Sequence, residues 1–297
     1  MSFHEDLSLR VEKVNKLLES VMKVDTGLSE YLMEAMRYSV YGTGKRLRPI
    51  LMEASAELFR GDAPELPYFM AAIELIHSYS LVHDDMPCID NDEYRRGRKT
   101  THAVYGETTA LLAGDGLLNF AYETAAAAFN DTKDPVKTAN ALKILARKAG
   151  IFGMVGGQAV DVHCEKNNDP LTQEKLLYIH ENKTAALIEA AMMIGAVLGG
   201  ASQTDVKKME EAASAIGIAF QIRDDILDVV GTFEELGKPI GSDADNDKDT
   251  YVTLFGFDKA KEDVQMYSDK ALSIIESFGG DKEFLLKLVE SLISRNK

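Results

Sequence analysis

The stretch AALIEAAMMIGAVLGGA, residues Ala185–Ala201, decides the fold class. From Ala185 to Met193 it is rich in Ala and Met and thin in β-branched residues, a composition that favours helix over strand. It carries Glu189 and falls short of the roughly 20 apolar residues that cross a bilayer, so it reads as a helix buried in protein. Tyr122 to Phe129 reads the same way. Toward the N-terminus, Leu7, Val11, Val14, Leu17, Leu18 and Val21 recur at spacings of three and four, one stripe of an amphipathic helix. Similar stripes continue to the C-terminus, and strand-like alternation is scarce. The expected fold is all-α, with about ten helices.

Breaks between these helices are expected at Gly42 to Gly44, Gly61 to Pro67, Pro87 to Gly97, Asn130 to Pro135, Asn167 to Pro170, Gly199 to Thr204 and Gly231 to Thr250. A chain of 297 residues, 45% hydrophobic, allows one domain or two. With no linker-like stretch, no repeat and its 7 prolines scattered singly, it is expected to form a single domain over residues 1–297.

The net charge of -15 excludes a broad nucleic-acid surface, which needs clustered Lys and Arg. Cys88 and Cys164 lie far outside any CxxC spacing and suggest a reducing compartment. With no basic-then-apolar leader after Met1 and no spanning segment, the expected location is the cytoplasm, without stable membrane insertion.

Two acidic motifs fall at such breaks. The first, His83-Asp84-Asp85-Met86-Pro87-Cys88-Ile89-Asp90, stands where a long apolar helix (residues 69–82) should end. Pro87 interrupts helical hydrogen bonding, so Asp90 is expected to return toward Asp84 on a loop. The second, Gln221-Ile222-Arg223-Asp224-Asp225-Ile226-Leu227-Asp228, lies on a helix expected over 206–229, where Asp224 and Asp228 share a face. Carboxylates forced together repel one another unless a cation or a shifted proton relieves them. Magnesium suits them, because it takes oxygen ligands and bridges to substrate phosphates. A solvated acidic helix end remains the alternative for either motif alone.

The cations suggest a polyanionic substrate. Gly44-Lys45-Arg46-Leu47-Arg48 places three of them just before a helix, where N-terminal amides also favour anions. It is not a nucleotide P-loop, since Arg46 stands where Ser or Thr is needed. Arg95-Arg96-Gly97-Arg98 follows the first acidic motif, and guanidinium forks suit phosphate. Lys183-Thr184 is expected inside an apolar helix, where a lysine needs a partner or must reach solvent. His77 alone reads as a hydrogen-bonded core histidine, and the absence of an HExxH or Cys/His set disfavours zinc. Lys238 and Lys248 flank an acidic loop and read by position as surface charges.

In this order, GKRLRP at 44–49, HSYSLVHDDMPCIDNDEYRRGRKTTH at 77–102, GDGLLNFAYE at 114–123, GMVGGQAVD at 153–161, KTAALI at 183–188 and FQIRDDILDVVG at 220–231 resemble the trans-prenyltransferase family of isoprenoid diphosphate synthases. The resemblance implies an antiparallel helical bundle around a deep cavity, the two aspartate motifs facing across its mouth, and a homodimer. It implies that Asp84, Asp85, Asp90, Asp224, Asp225 and Asp228 hold magnesium ions, three per loaded site, with Asp84, Asp90 and Asp224 the strongest ligands. Arg95, Lys183 and Lys238, and less securely Lys248, would contact an allylic diphosphate. Gly44, Lys45, Arg48, His77 and Arg96 would hold isopentenyl diphosphate. Where related enzymes place a small or neutral residue, this loop has Asp249, which weakens the case for Lys248.

The implied chemistry is ionisation first, then attack by the double bond of isopentenyl diphosphate. Thr184 and Gln221 would offer oxygen dipoles to the developing positive charge, and the departing diphosphate would take the final proton. Tyr79 and Ser80, about one turn before the first aspartate, would set product length; Tyr79 together with the insertion Pro87-Cys88 resembles bacterial-type farnesyl diphosphate synthases. A geranylgeranyl diphosphate synthase, a non-catalytic regulatory subunit and a terpene cyclase are the rivals. Two intact aspartate motifs argue against the last two.

Overall fold

The computed structural model describes residues 2–42, 44–60, 63–167, 169–230 and 250–293. The chain forms two compact units, Met1–Glu53 with Asp62–Leu142, and Ala54–Gly61 with Lys143–Lys297.

The first unit is built on α4 (Leu66–Asp84), apolar on all sides and therefore central. Phe69, Met70, Ile73, Leu75 and Ile76 are fully or almost fully buried, each contributing roughly 1.5–3 kcal/mol of hydrophobic stabilisation. Around it lie α1 (Phe3–Val21), α2 (Glu30–Val40), the start of α3 (Leu47–Phe59), α5 (Thr101–Tyr105), α6 (Glu107–Ala127) and the start of α7 (Pro135–Ala149). α1 opens on a capping box in which the Ser2 hydroxyl accepts from the Glu5 amide and the Glu5 carboxylate accepts from the Ser2 amide. Against α4, α6 presents Gly114, where a Cβ would lie 2.1 Å from His83 Nε2; only glycine admits that ring.

The second unit contains the end of α3, the rest of α7, α8 (Met154–Asn167), α9 (Gln173–Ile179), a π turn (His180–Ala185), α10 (Ala186–Gly199), α11 (Gln203–Val230), α12 (Tyr251–Phe255), α13 (Phe257–Glu276) and α14 (Glu283–Ile293). α10 is the apolar stretch that announced the fold, and nearly all of it is buried. Its charge, Glu189, is paired with Lys148, which also reaches Glu210 at 2.7 Å. Gly200, with φ +94°, ends this helix in the left-handed conformation, and the Ala201 amide closes back on the Ala196 carbonyl.

Among the described residues the only β structure is an antiparallel ribbon pairing Tyr94–Arg95 (β1) with Arg98–Lys99 (β2). The helices beyond the expected ten or so include the short α5, α9 and α12. Two of the unforeseen breaks fall at Gly106 and Gly256, whose φ values of +82° and +84° leave no room for a regular helix. Among the described residues no helix is long and apolar enough to cross a membrane.

Candidate active site

In the first unit, α4 ends at the first acidic motif, and the chain turns back as Pro87 requires. The amides of Asp85, Met86 and Ile89 still point to carbonyls three or four residues earlier, and the Asp90 amide then donates to the Asp84 carbonyl at 3.0 Å. The expected return of Asp90 to Asp84 is therefore a backbone closure. The three carboxylates differ. Asp84 is half-buried and Asp90 exposed, whereas Asp85 is 4% exposed and accepts from Arg95 Nε at 2.6 Å. Burial pushes the Asp85 carboxyl up to about 6, opposed by Arg95, whose own guanidinium is held charged by Asp85 against its burial.

Arg95 sits on the ribbon, and Arg96 and Gly97, with φ of +53° and +75°, make its two-residue turn. Arg98 is stacked over the Tyr38 ring at 3.6 Å and donates to the Tyr38 carbonyl at 3.1 Å, fastening the ribbon to α2. Arg96 thus stands at the ribbon's tip beside the segment of residues 44–48, where Gly44, Arg46, Glu74, His77, Arg95 and Arg96 line one cleft.

The three cations of that loop behave differently, which their spacing did not foretell. Lys45 is exposed. Arg46 is turned into the protein and paired with Glu74 at 2.8 Å. Arg48 is half-buried, and burial lowers its guanidinium to about 10, with Glu74 opposing and Arg96 adding to the shift. Its Nε is buried with no hydrogen-bond partner among the described residues. A buried donor without an acceptor is costly, and a diphosphate oxygen is the kind of acceptor that would satisfy it. Burial first, and then the surrounding arginines led by Arg48, hold His77 well below the usual histidine range. His77 is therefore neutral at pH 7 and offers a hydrogen bond rather than a charge. One turn before Asp84, Tyr79 is 6% exposed and packs edge-on to His83, ring centroids 5.6 Å apart. The Ser80 hydroxyl donates to the His77 carbonyl at 2.8 Å.

In the second unit, Lys183 and Thr184 are not inside a regular helix as expected, but in the π turn between α9 and α10. Such turns widen a helix locally and recur at functional sites. Two glycines admit this one: a Cβ on Gly157 of α8 would lie 2.2 Å from the Lys183 amide nitrogen, and a Cβ on Gly217 of α11 would lie 2.3 Å from Ala185 Cβ. One turn beyond Gly157, Asp161 receives the Lys183 ammonium at 2.6 Å. The partner that a lysine in apolar surroundings needs is thus present.

Thr184 donates to Gln221 Oε1 at 2.9 Å, and Gln221 Nε2 donates to Asp225 Oδ1 at 3.2 Å. The Tyr251 amide at the start of α12 donates to Asp225 Oδ2 at 2.8 Å, and His180 Nε2 lies 3.8 Å from the same oxygen. Burial pushes His180 down to about 4. α11 is unbroken through the motif, so Asp224 and Asp228 lie one turn apart on one face, as expected. Asp224 is half-buried, and Asp225 and Asp228 are buried. Lys238, Lys248 and Asp249 lie outside the described residues.

Asp161, His180, Tyr251 and Glu74 support the site, yet sequence reasoning assigned them no role. Asp161 closes the quoted segment GMVGGQAVD, and its spacing of four from Gly157 was the available signal. The donors in both motifs are all carboxylate oxygens, the set a hard cation such as magnesium prefers. Among the described residues no three Asp, Glu, His or Cys side chains form a ready-made cage.

The chain matches the polyprenyl synthetase family over residues 29–283. It belongs to that family. The chain is 42% identical over 275 residues to the chloroplastic heterodimeric geranylgeranyl pyrophosphate synthase large subunit 1 of Arabidopsis thaliana, covering 92% of this chain and 74% of the relative. It is 38% identical over 295 residues to the farnesyl diphosphate synthase of Bacillus subtilis, covering 99% and 98%. Among solved structures, the geranyltransferase from Helicobacter pylori complexed with magnesium and isoprenyl diphosphate superposes with a TM-score of 0.82 at 31% identity, covering 99% and 97%. The fold is that of the isoprenoid synthases, and the chain is a prenyltransferase of isoprenoid biosynthesis.

Proposed function

We propose that this enzyme condenses isopentenyl diphosphate with dimethylallyl or geranyl diphosphate and stops at farnesyl diphosphate, fifteen carbons long. The observation that carries the length assignment is Tyr79, buried at the α4 position five residues before Asp84 and packed edge-on to His83. An aromatic ring there would close a pocket beneath the growing chain. The 38% identity to the Bacillus farnesyl diphosphate synthase supports the same reading. The identity to plant geranylgeranyl pyrophosphate synthases, 42% in the Arabidopsis subunit, makes a twenty-carbon product the second reading.

Asp84, Asp85, Asp90, Asp224, Asp225 and Asp228 would hold magnesium, three ions in the loaded site, which would supply positive charge to the leaving diphosphate. Asp85 and Asp225 also fix Arg95 and Gln221, to which they are hydrogen-bonded. Arg95 and Lys183, joined by Lys238 and Lys248, take the allylic diphosphate. Lys45, Arg48, Arg96 and neutral His77, with the space left by Gly44, take isopentenyl diphosphate. As the allylic carbon–oxygen bond breaks, positive charge develops on the allyl group. Thr184 has given its hydrogen to Gln221 Oε1, so its oxygen lone pairs face outward from that bond and stabilise the cation. The double bond of isopentenyl diphosphate forms the new carbon–carbon bond, and the proton lost from the adduct passes to the departed diphosphate. Apolar helix walls keep out water that would quench the cation to an alcohol.

We further assign this activity to one domain, as a homodimer in the cytoplasm. Both cysteines are free thiols, and the family match runs across both packing units.

The test is to incubate the purified protein with labelled isopentenyl diphosphate and either allylic starter, with magnesium or with a chelator. Condensation with magnesium alone is expected. Folded protein that condenses neither starter would bring forward the reading of a regulatory subunit.

A further inference from the structure

We propose that Arg46 and Glu74 are a positioning pair that holds residues 44–48 in the shape isopentenyl diphosphate needs, so that they set the affinity for that substrate through the residues they place. The inference rests on the assignment of Arg48, His77 and Arg96 to that substrate. Arg46 stands in a sequence of cations, but its guanidinium is 5% exposed and faces away from solvent. Four of its N–H groups are already committed. Nε donates to Asn15 Oδ1 on α1 at 2.8 Å, and Nη1 to Glu74 Oε1 on α4 at 2.8 Å. Nη2 is shared between the carbonyls of Val40 at 2.7 Å and Gly42 at 3.3 Å, which close the end of α2 and open the loop. With five donors in all, almost nothing remains for a ligand.

The backbone at Arg46 bears a cost for this placement. Its φ is +52°, a left-handed conformation that disfavours any residue with a Cβ. Such strain persists where the surroundings over-determine it. What the strain achieves is visible at Gly44. A Cβ there would lie 2.9 Å from Arg46 Nη1 and 3.4 Å from Arg96 Nη1, so the two guanidiniums close on the glycine from two elements. A free arginine end could swing aside, but this one is fixed by its four bonds.

Glu74 completes the device. It is 3% exposed on α4, three residues before His77, and its carboxylate balances Arg46. It also opposes the lowering of Arg48 and Arg96. On the other side, α1 is locked beside the loop by Arg10 and Lys13, both paired with Glu53 of α3. Residues 44–46 are thus tied through one guanidinium to α1, α2 and α4.

The test uses direct titration of isopentenyl diphosphate, without allylic substrate or metal, together with steady-state kinetics. Arg46→Lys keeps the charge but loses the planar fork, and Glu74→Gln keeps the shape but loses the charge. In both, Kd and KM for isopentenyl diphosphate should rise on the order of tenfold, while KM for geranyl diphosphate and kcat move about twofold or less. Should Arg46→Lys fail to fold, the isosteric Glu74→Gln decides alone. Folded variants with unchanged Kd, or with equal losses for both substrates, would overturn the pair's positioning role. Wild-type protein that does not bind isopentenyl diphosphate at all would instead overturn the substrate assignment.

Discussion

Replacing Gly157 by alanine should move the π turn that carries Lys183 and Thr184. The added Cβ would lie 2.2 Å from the Lys183 nitrogen and 2.8 Å from both Asn182 C and Lys183 Cα, all backbone atoms with no rotamer to change. An ordinary contact begins near 3.4 Å, so about 1.2 Å of separation must be found by moving α8 or the turn. Overpacking of this kind costs roughly 1–3 kcal/mol, a fall of about 2–12 °C in Tm for a unit of this size. The catalytic consequence is larger than the structural one. Asp161 rides on the same face of α8, so the 2.6 Å pair with Lys183 is displaced with the turn, as is the Thr184–Gln221 bond. A misplacement of about 1 Å in a reacting constellation costs on the order of a hundredfold in rate. Thermal melts and steady-state kinetics with geranyl and isopentenyl diphosphates measure both effects. The Kd for isopentenyl diphosphate, assigned to the other packing unit, should stay at the wild-type value. A variant with wild-type Tm and kcat would refute the account of how the π turn is held.

Three further outcomes are expected. Thr184→Ala should lower kcat by roughly a hundredfold with little change in KM, and Thr184→Ser should restore most of it, because the hydroxyl and not the methyl is used. In substrate-free protein, His77 holds its proton less tightly than the unfolded chain does, so the unfolded state binds more protons as pH falls below about 6.5. Stability should fall in that window by up to about 1.4 kcal/mol per pH unit, and urea melts of His77→Gln should show a shallower acid slope. Gly44→Ala should weaken isopentenyl diphosphate binding by spreading Arg46 and Arg96, measured by the same titration; an unchanged Kd would show that the loop yields elsewhere.

What the sequence made legible, and what it hid, follows from the range of the interactions. Composition alone identified α10, since an Ala- and Met-rich stretch with a single acid has few other ways to be buried. The Asp84–Asp90 closure was readable because a proline acts on its immediate neighbours. Asp224 and Asp228 share a face because helical periodicity is local too. The π turn was not readable. It exists because glycines 157 and 217, on two different helices, leave room for it, and nothing within residues 180–185 signals that. Nor does a run of like cations reveal which one turns inward. Arg46 differs from Arg48 by its contacts with Asn15 and Glu74, residues 31 and 28 positions away. Lys183 was expected in a helix for the same reason: Asp161, its partner, is 22 positions distant.

The central claim is that Tyr79 forms the floor of a pocket sized for fifteen carbons. The direct measurement is the chain length of dephosphorylated products from wild-type protein and Tyr79→Ala, each given magnesium, geranyl diphosphate and excess isopentenyl diphosphate. Tyr79 is almost fully buried, so the substitution should also cost roughly 3–5 kcal/mol, and the variant is assayed well below its Tm. Farnesol alone from the wild type, with geranylgeraniol and longer alcohols from the variant, is the predicted result. Geranylgeraniol from the wild type, or farnesol alone from both, would contradict it.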